Sequence, residues 1–414
     1  MAIANELTIT SASALDMADT MFGDGIQIVS ATYSGDAGAS GIYSDATTTI
    51  PGIVSGDTGV ILSTGIVGDF TDSSGTTDTN TGSAGGTDMA NGVDGDAQLN
   101  AAAGLPTFDA AIFEASFIPT GDFLTMQFVF SSEEYLEYVG QSYNDVVGVW
   151  VNGAFVPLTI SFGGVVSIDG VNTTQNSNLY IDNPAAGDLY NTQMDGFTVT
   201  LSLKAPVVAG QTNTIKIGIA DGGDGAYDSN LLISGNSIQT IALAMEDKVT
   251  LLANSSRTFD ILANDTDLRD TGLTITQING QDVIAGEIVT LNTGEQIRLN
   301  ADGTITVFSD SDVGSNTFTY TLTDGAGNTD VGYVTVTTGA AAGLDGIVEG
   351  TAAADLIDAS YLGDPDGDRI DANDATGFGG TTGDGDYIIA GVGADSVYAG
   401  AGNDVVYAGA DNDM

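Results

Sequence analysis

Over the first 245 residues, large apolar side chains fall mostly on every second position. Leu124, Met126, Phe128 and Phe130 alternate in one segment, Phe197, Val199, Leu201 and Leu203 in another, and Ile215, Ile217 and Ile219 in a third. A period of two is that of a strand with one buried face. Gly, Asn and Asp, which favour turns, separate these segments. One stretch departs from the pattern: from Ser13 to Gly23 the apolar residues Leu15, Met17, Met21 and Phe22 are spaced as on a helix. With a Ser start and a Gly stop it predicts one short helix, the only one expected in this region. Residues 69–100, rich in Gly, Thr, Ser and Asp, predict a long exposed loop. Many short strands with little helix imply a β-sandwich, because a sheet with one apolar face must bury it against another layer.

A second strand set follows Glu246: Ile305/Val307, Phe318/Tyr320/Leu322 and Val334/Val336, separated by Asp302-Gly303, Asp324-Gly325 and Gly327-Asn328. This predicts a second sandwich over residues 246–338, with Thr338 to Gly343 as a small flexible linker.

Charge narrows the partners. Seven Lys and Arg face 56 Asp and Glu, a formal charge of −49, which argues against nucleic acid or an anionic membrane surface. All seven basic residues lie beyond residue 203, so the first half cannot neutralise its own carboxylates, and metal ions are the natural counter-ions. Hydrophobic residues make up 42% of the chain, enough for a packed fold rather than a disordered polyanion. With no Cys and no His, disulfides, thiol nucleophiles, Ser-His-Asp triads and imidazole-ligated metals are excluded, leaving hard cations bound by oxygen. The N-terminus has no basic and apolar signal pattern, and no apolar run is long enough to span a membrane, so if the protein is exported its signal lies elsewhere.

From about residue 381 the chain repeats every nine residues. Asp386, Asp395, Asp404 and Asp413 fall nine apart, and Ile388, Val397 and Val406 follow the first three by two positions. The run resembles the hemolysin-type (repeats-in-toxin) calcium-binding family. In that family six residues form a turn whose carbonyls and carboxylate face Ca²⁺, and three form a short strand with an inward apolar side chain. Two repeats make one coil of a parallel β-roll, so the resemblance implies sites pairing Asp386 with Asp404 and Asp395 with Asp413. Gly391, Gly393, Gly400 and Gly402 would shape the turns. Thr382, Asp384 and Asp411 stand where Gly is usual, so the two edges should bind most weakly. Upstream, Gly350 to Asp371 looks like an irregular opening of the same roll, with Asp366 and Asp368 as candidate ligands, though a plain acidic loop fits that stretch as well. The alternative for the whole run is a solvated Asp/Gly linker. One small apolar side chain per repeat cannot offset the chain entropy, so metal binding and folding are expected to be one event.

In the first domain, Ala31 to Asp36, Gly56 to Gly65, Phe130-Ser-Ser-Glu-Glu-Tyr135, Tyr143-Asn-Asp145, Asp195-Gly-Phe197 and Ile219 to Ser229 together resemble the choice-of-anchor L domain of bacterial surface and secreted proteins. The resemblance implies location more than activity. Glu133, Glu134, Asp145, Asp221, Asp224 and Asp228 are many carboxylates beside strand segments with no cation nearby in sequence. A Ca²⁺ would reconcile them, its shell completed by Asn144, carbonyls of the Asp221–Gly225 turn, and Asp94 and Asp96. Surface acids and turn caps are the other reading. The middle region, from Leu262 to Asp267 and from Phe318 to Gly325, resembles immunoglobulin-like and cadherin-like modules of bacterial adhesins. Asp265, Asp267 and Asp324 would there either bind Ca²⁺ or form turns.

The expected chain is therefore all-β: an N-terminal sandwich over 1–245, a second sandwich over 246–338 and a parallel β-roll over 339–414. The expected function is non-enzymatic, a secreted Ca²⁺-binding structural or adhesive protein that attaches to a cell surface, a matrix or copies of itself. Filament assembly by strand addition would use the segment before Ala31 or an open sheet edge. Two alternatives stand beside it: a polysaccharide hydrolase using Glu133, Glu134 and Asp145, weakened if adjacent strand positions point to opposite faces, and the N-terminal product of a self-cleaving hedgehog/intein-type precursor. The repeat resemblance implies type I secretion, with the roll folding at external Ca²⁺ levels, roughly 10⁻⁴–10⁻³ M.

Overall fold

Ser13 caps the first helix, α1 (Ala14–Met21): its Oγ accepts from the Asp16 N–H, and the Asp16 carboxylate accepts from the Ser13 N–H. This reciprocal pair satisfies two donors that a helix start leaves open, and Met17, Ala18 and Met21 turn inward. The computed structural model describes residues 6–71, 95–158, 165–184, 189–339, 346–365, 367–372 and 384–414. The candidates Asp94, Asp366 and Thr382 lie outside the described residues, as do much of the expected 69–100 loop and most of the linker.

The helix packs on a sandwich of two antiparallel sheets. One sheet runs in the order Thr8–Thr10, Ser40–Ser44, Gly59–Ser63, Ser229–Ser234, Phe123–Ser132, Gly196–Thr198, Tyr180–Asp182, with Leu201–Pro206 also paired to Phe123–Ser132. The other runs Ile26–Ser34, Thr107–Pro119, Asn213–Gly222, Val146–Val151, Ala154–Phe155, with Val166–Ser167 paired to Val146–Val151. Alternation selects the shared core. Met126, Phe128, Phe130, Leu201 and Leu203 from the first sheet meet Phe113, Phe117, Val149, Ile215, Ile217 and Ile219 from the second.

The outer faces are covered too, which the expectation of a single helix did not foresee. A second helix, α2 (Ala46–Thr49), and the chain to Phe70 close over Ile61, Val129, Phe197 and Leu232. A third, α3 (Ala97–Ala103), lies within the stretch expected to be loop. Asp96 caps its start by accepting from the N–H groups of Gln98 and Leu99, and Gly104 ends it at φ +75°. Leu99 is its one fully buried side chain and covers Trp150 and Ile112. A seven-residue helix is marginal by itself, so it is tertiary burial that holds this one.

The second sandwich sets a five-stranded sheet (Asp247–Leu252, Thr329–Gly339, Gly314–Thr323, Thr274–Ile278, Gln281–Asp282) against a four-stranded one (Ser256–Phe259, Ile305–Phe308, Gln296–Leu299, Ile288–Thr290). Phe318, Tyr320, Leu322, Ile297, Ile305 and Val307 are buried between them. Most of it belongs to the same compact unit as the first sandwich: Met1–Thr250, Ser256–Phe308 and Ser315–Thr337. The reason is a buried polar seam. Asp330, whose side chain is wholly buried, accepts from Thr125 Oγ1 (2.6 Å), Ser202 Oγ (2.9 Å) and the Ala244 N–H (2.8 Å), and pairs with Lys204 Nζ at 3.2 Å. Tyr333 OH bridges the Ser202 N–H and carbonyl, and Gln127 Nε2 donates to the Thr329 carbonyl.

The second compact unit comprises Leu251–Ser255, Ser309–Gly314 and Thr338–Met414. From Gly346 onward its described strands are two or three residues long and parallel. Val348–Glu349, Tyr387–Ile389 and Val405–Tyr407 form one sheet, and Leu356–Ile357 pairs with Ser396–Val397 in another. Ile388 sits opposite Val406, eighteen residues on, and opposite Val348. The core is small: Val348, Ile357, Ile370, Ile388 and Ala390. Val397 is half-buried and Val406, in the outermost described coil, is 43% exposed, so burial fades along the repeat positions rather than staying constant.

Candidate functional site

Two groups of carboxylates stand out, one in each compact unit. In the roll the aspartates form ladders between coils. The Asp386 N–H donates to Asp404 Oδ1 at 3.0 Å, and the Asp371 N–H donates to Asp386 Oδ2 at 3.0 Å. In the second ladder the Asp395 N–H donates to Asp413 Oδ1 at 3.1 Å, and the Asp355 N–H to Asp395 Oδ1 at 2.9 Å. Each carboxylate thus anchors the neighbouring coil. Asp371 and Asp355 extend ladders that the nine-residue spacing alone does not reveal, because they stand fifteen and forty residues before their partners, out of phase with the repeat.

Gly391, Gly393, Gly400 and Gly402 have φ values of +97°, +139°, +83° and +115°. A Cβ at Gly393 would lie 2.4 Å from the Ala353 carbonyl oxygen, and one at Gly402 would lie 2.5 Å from the Asp384 backbone, so the coils approach too closely for a side chain. Asp411 holds φ +90° with a side chain, a conformation that favours glycine. Asp368 is buried and accepts from the Gly346 N–H at 3.0 Å. Asp395 Oδ2 is buried without a hydrogen-bond partner. An orphaned carboxylate oxygen beside glycine turns, in a chain without His or Cys, fits a hard cation with oxygen ligands such as Ca²⁺. When bound, the ion supplies the charge neutralisation that stacked aspartates otherwise lack.

The second group lies at one end of the first sandwich. Glu133 and Glu134 follow strand Phe123–Ser132, Asp228 precedes Ser229–Ser234, Asp145 precedes Val146–Val151, and Asp221 lies near the end of Asn213–Gly222. Glu133, Glu134, Asp145, Asp221 and Asp228 are 3%, 2%, 0%, 2% and 4% exposed, so they are not surface acids. The strand ends at Ser132, before the two glutamates, so the expected strand alternation does not apply and both are buried. Asp145 is held firmly: the Gly222 N–H donates to Oδ1 at 3.0 Å and Ser229 Oγ donates to Oδ2 at 2.6 Å.

Burial, and then a neighbouring acid, raises every one of these groups. Glu133 is pushed up to about 9, with Asp228 the next cause; Glu134 to about 9, with Asp145 next; and Asp228 to about 8, again with Asp145 next. Burial lifts Asp145 to about 7, and Asp221 is raised well above the usual range by burial and then by Asp145. Among the described residues the ion pairs are Lys204–Asp330, Lys216–Asp96 and Arg269–Asp24, and none reaches this cluster.

Asp224 is half-buried at its edge, beside Glu134 and Asp145. Asn144 Oδ1 accepts from the Asp169 N–H. Asp96, grouped with the cluster on sequence, is instead engaged as the cap of α3 and by Lys216 at 2.8 Å. Asp109 was missed. It is 8% exposed, holds φ +48° near the start of strand Thr107–Pro119 and faces Asp221 and Asp228; a carboxylate inside an apolar strand run was its signal. No group of three or more acids among the described residues forms a ready-made cage. A Cβ at Gly65 would fall 1.9 Å from Asp228 Oδ2. Gly65→Ala should therefore cost about 1–3 kcal/mol through overpacking, read as a lower urea midpoint at unchanged slope.

In the second sandwich Asp267 and Asp324 cap turns, while Asp265 serves in a contact distant in sequence. Asp267 accepts from the N–H groups of Arg269, Thr271 and Gly272, and Asp324 from those of Ala326 and Asn328. Asp265 accepts from the Met245 N–H and Tyr320 OH.

Three family profiles match the chain: Choice-of-anchor L domain over residues 6–239, bacterial Ig domain over 239–337, and RTX calcium-binding nonapeptide repeat over 380–414. No curated protein matches. Among solved structures, a nucleoside hydrolase-related hypothetical protein from Saccharophagus degradans, associated with carbohydrate metabolism, is 15% identical at a TM-score of 0.16, covering 25% of this chain and 24% of that one. The M60 catalytic domain with two CBM51 domains from Clostridium perfringens is 12% identical at 0.17, covering 57% and 19%. The pilus backbone of Streptococcus pneumoniae is 13% identical at 0.15, covering 55% and 87%. This chain thus spans about a quarter and a fifth of the first two, and at such scores none of the three carries an argument. The repeats are calcium-binding, the modules are of anchor, Ig-like and repeat types rather than enzymatic families, and together they indicate an extracellular or cell-surface protein of structural or adhesive kind. No described helix is long and apolar enough to cross a membrane. By the match over more than half its length, the chain belongs to the choice-of-anchor L domain family.

Proposed function

We propose that the chain is a secreted, calcium-stiffened structural module that attaches to a cell surface, to a matrix or to further copies of itself. Its working parts are a first sandwich over 1–245, a second over 246–338 and the roll over 339–414. The observation that carries this reading is the pair of aspartate ladders. Each coil is tied to the next through carboxylates, over a core of five buried apolar residues. Such a core is too small to order the chain unaided, so Asp386, Asp395, Asp404 and Asp413 hold the ion and the ion holds the coils. An unfolded roll in low calcium suits passage through a type I system, and folding in external calcium suits a module that works outside the cell.

Self-assembly would use a sheet edge. Thr8–Thr10 and α1 are folded into their own sandwich, and the nine-residue edge strand Ile26–Ser34 has one side unpaired among the described residues. A bulge between Ile28 and Ser30 restricts it, so pairing would run along only part of its length. Electron microscopy of the protein in Ca²⁺ and in chelator tests this: filaments or sheets in Ca²⁺ alone are expected, and monodisperse particles in both would contradict self-assembly. The hydrolase alternative is disfavoured by the burial of Glu133 and Glu134, which leaves little of either open to a glycan chain. Glycan turnover abolished by Glu134→Gln would reinstate it.

A further inference from the structure

The end of the first sandwich poses a problem of charge that the fold alone does not solve. Six carboxylate oxygens there are buried without a hydrogen-bond partner: both of Glu133, Oε2 of Glu134, both of Asp221 and Oδ1 of Asp228. Buried polar groups are as a rule paired, and leaving even one unpaired costs about 1–3 kcal/mol. Six in one region, joined by mutual repulsion through Asp145, call for a partner that donates to many oxygens at once. Protein cations do not supply it, since none of the described ion pairs involves these acids.

The acids also come from both layers. Glu133, Glu134 and Asp228 flank strands of the eight-stranded sheet, whereas Asp145 flanks a strand of the six-stranded one and Asp221 lies within another. Within each layer the backbone fixes these ends: the Glu133 N–H donates to the Asp228 carbonyl at 3.1 Å in the first sheet and the Asn144 N–H to the Gly222 carbonyl at 3.2 Å in the second. Asp145, engaged by Gly222 and Ser229, spans the gap between the layers.

We propose that this end of the N-terminal sandwich binds a divalent cation of the calcium class through Glu133, Glu134, Asp221 and Asp228, with Asp145 as the bridge, and that the ion clamps the two sheets together. All-oxygen donors, carboxylates in number and six to eight ligands are the preferences of Ca²⁺, whereas Mg²⁺ demands a tight octahedron and keeps its water. Because no three acids form a cage as they stand, binding draws their side chains inward by rotation. The site is separate from the repeats and does not depend on how the roll works.

The test is made on the full chain with Asp386, Asp395, Asp404 and Asp413 changed to Asn, which silences the roll. Bound calcium is counted after gel filtration, and thermal unfolding is followed in Ca²⁺, in Mg²⁺ and in chelator. The proposal expects at least one retained Ca²⁺ per chain and a melting point raised by Ca²⁺ more than by Mg²⁺. Adding Asp221→Asn and Glu134→Gln should remove that ion and its thermal shift. The same pair relieves repulsion, so its melting point in chelator should match or exceed that of the roll-silenced parent. A roll-silenced chain that binds no calcium and melts alike in Ca²⁺ and chelator would overturn the proposal, whether or not the double variant folds. So would a folded double variant that keeps both the ion and the shift.

Discussion

Asp404→Ala should abolish calcium-driven ordering of the last coils of the roll. The Asp404 carboxylate accepts the Asp386 N–H at 3.0 Å, and strands Tyr387–Ile389 and Val405–Tyr407 meet just beyond it. Without it the coil loses both its link and half the carboxylate pair for an ion. A site filled at a hundred times its Kd contributes about 2.7 kcal/mol, and the apolar core, with Val406 43% exposed, has nothing to replace that. Calorimetric titration should show one Ca²⁺ fewer, with loss of the roll's ellipticity change on adding calcium. Asp411→Gly should act the opposite way, gaining about 1 kcal/mol by releasing a side chain from φ +90°.

Lys204→Met should be the most damaging single change outside the roll. Its ammonium lies 3.2 Å from Asp330 Oδ2, and that carboxylate is wholly buried. Thr125, Ser202 and the Ala244 N–H still donate to it, but its charge would face no cation, and breaking a buried pair from one side costs about 3–5 kcal/mol. Because the seam ties Thr125 and Ser202 of the first sandwich to Asp330 of the second, both should lose stability together. The double variant Lys204→Met with Asp330→Asn should recover a large part of the loss. Denaturant unfolding of the four proteins gives the coupling energy directly.

Much of this architecture was legible in the residues. Ser13 and Asp16 announced α1, alternation at Leu124–Phe130 and Ile215–Ile219 announced the sandwich, and the nine-residue phase of the aspartates announced the register of the roll. What escaped was either short or non-local. In α3, a single large apolar residue, Leu99, sits among alanines beside a Gly- and Thr-rich stretch, and its helix exists because Trp150 and Ile112 receive it. Asp96 and Gly104 were local signals for its ends, but a period cannot be read from one residue. The seam at Asp330 joins positions 126 residues apart, beyond any spacing argument.

The acidic cluster lies between these cases. Its glutamates and aspartates could be picked out by type, since nothing basic precedes residue 204. Their convergence depends on strand Ser229–Ser234 lying between Gly59–Ser63 and Phe123–Ser132, a topology no local pattern states. Asp265, Asp267 and Asp324 look equally acidic in sequence, yet their oxygens are occupied by backbone N–H groups and a tyrosine hydroxyl.

Calcium binding and folding of the roll are proposed to be one event. Amide hydrogen exchange of the full chain in millimolar Ca²⁺ and in chelator measures this residue by residue. Protection is expected across 384–414 in Ca²⁺, above all at the N–H groups of Asp386 and Asp395, and near-complete loss of it in chelator, while strands 123–132 and 213–222 remain protected. Equal protection of 384–414 in both conditions would contradict it.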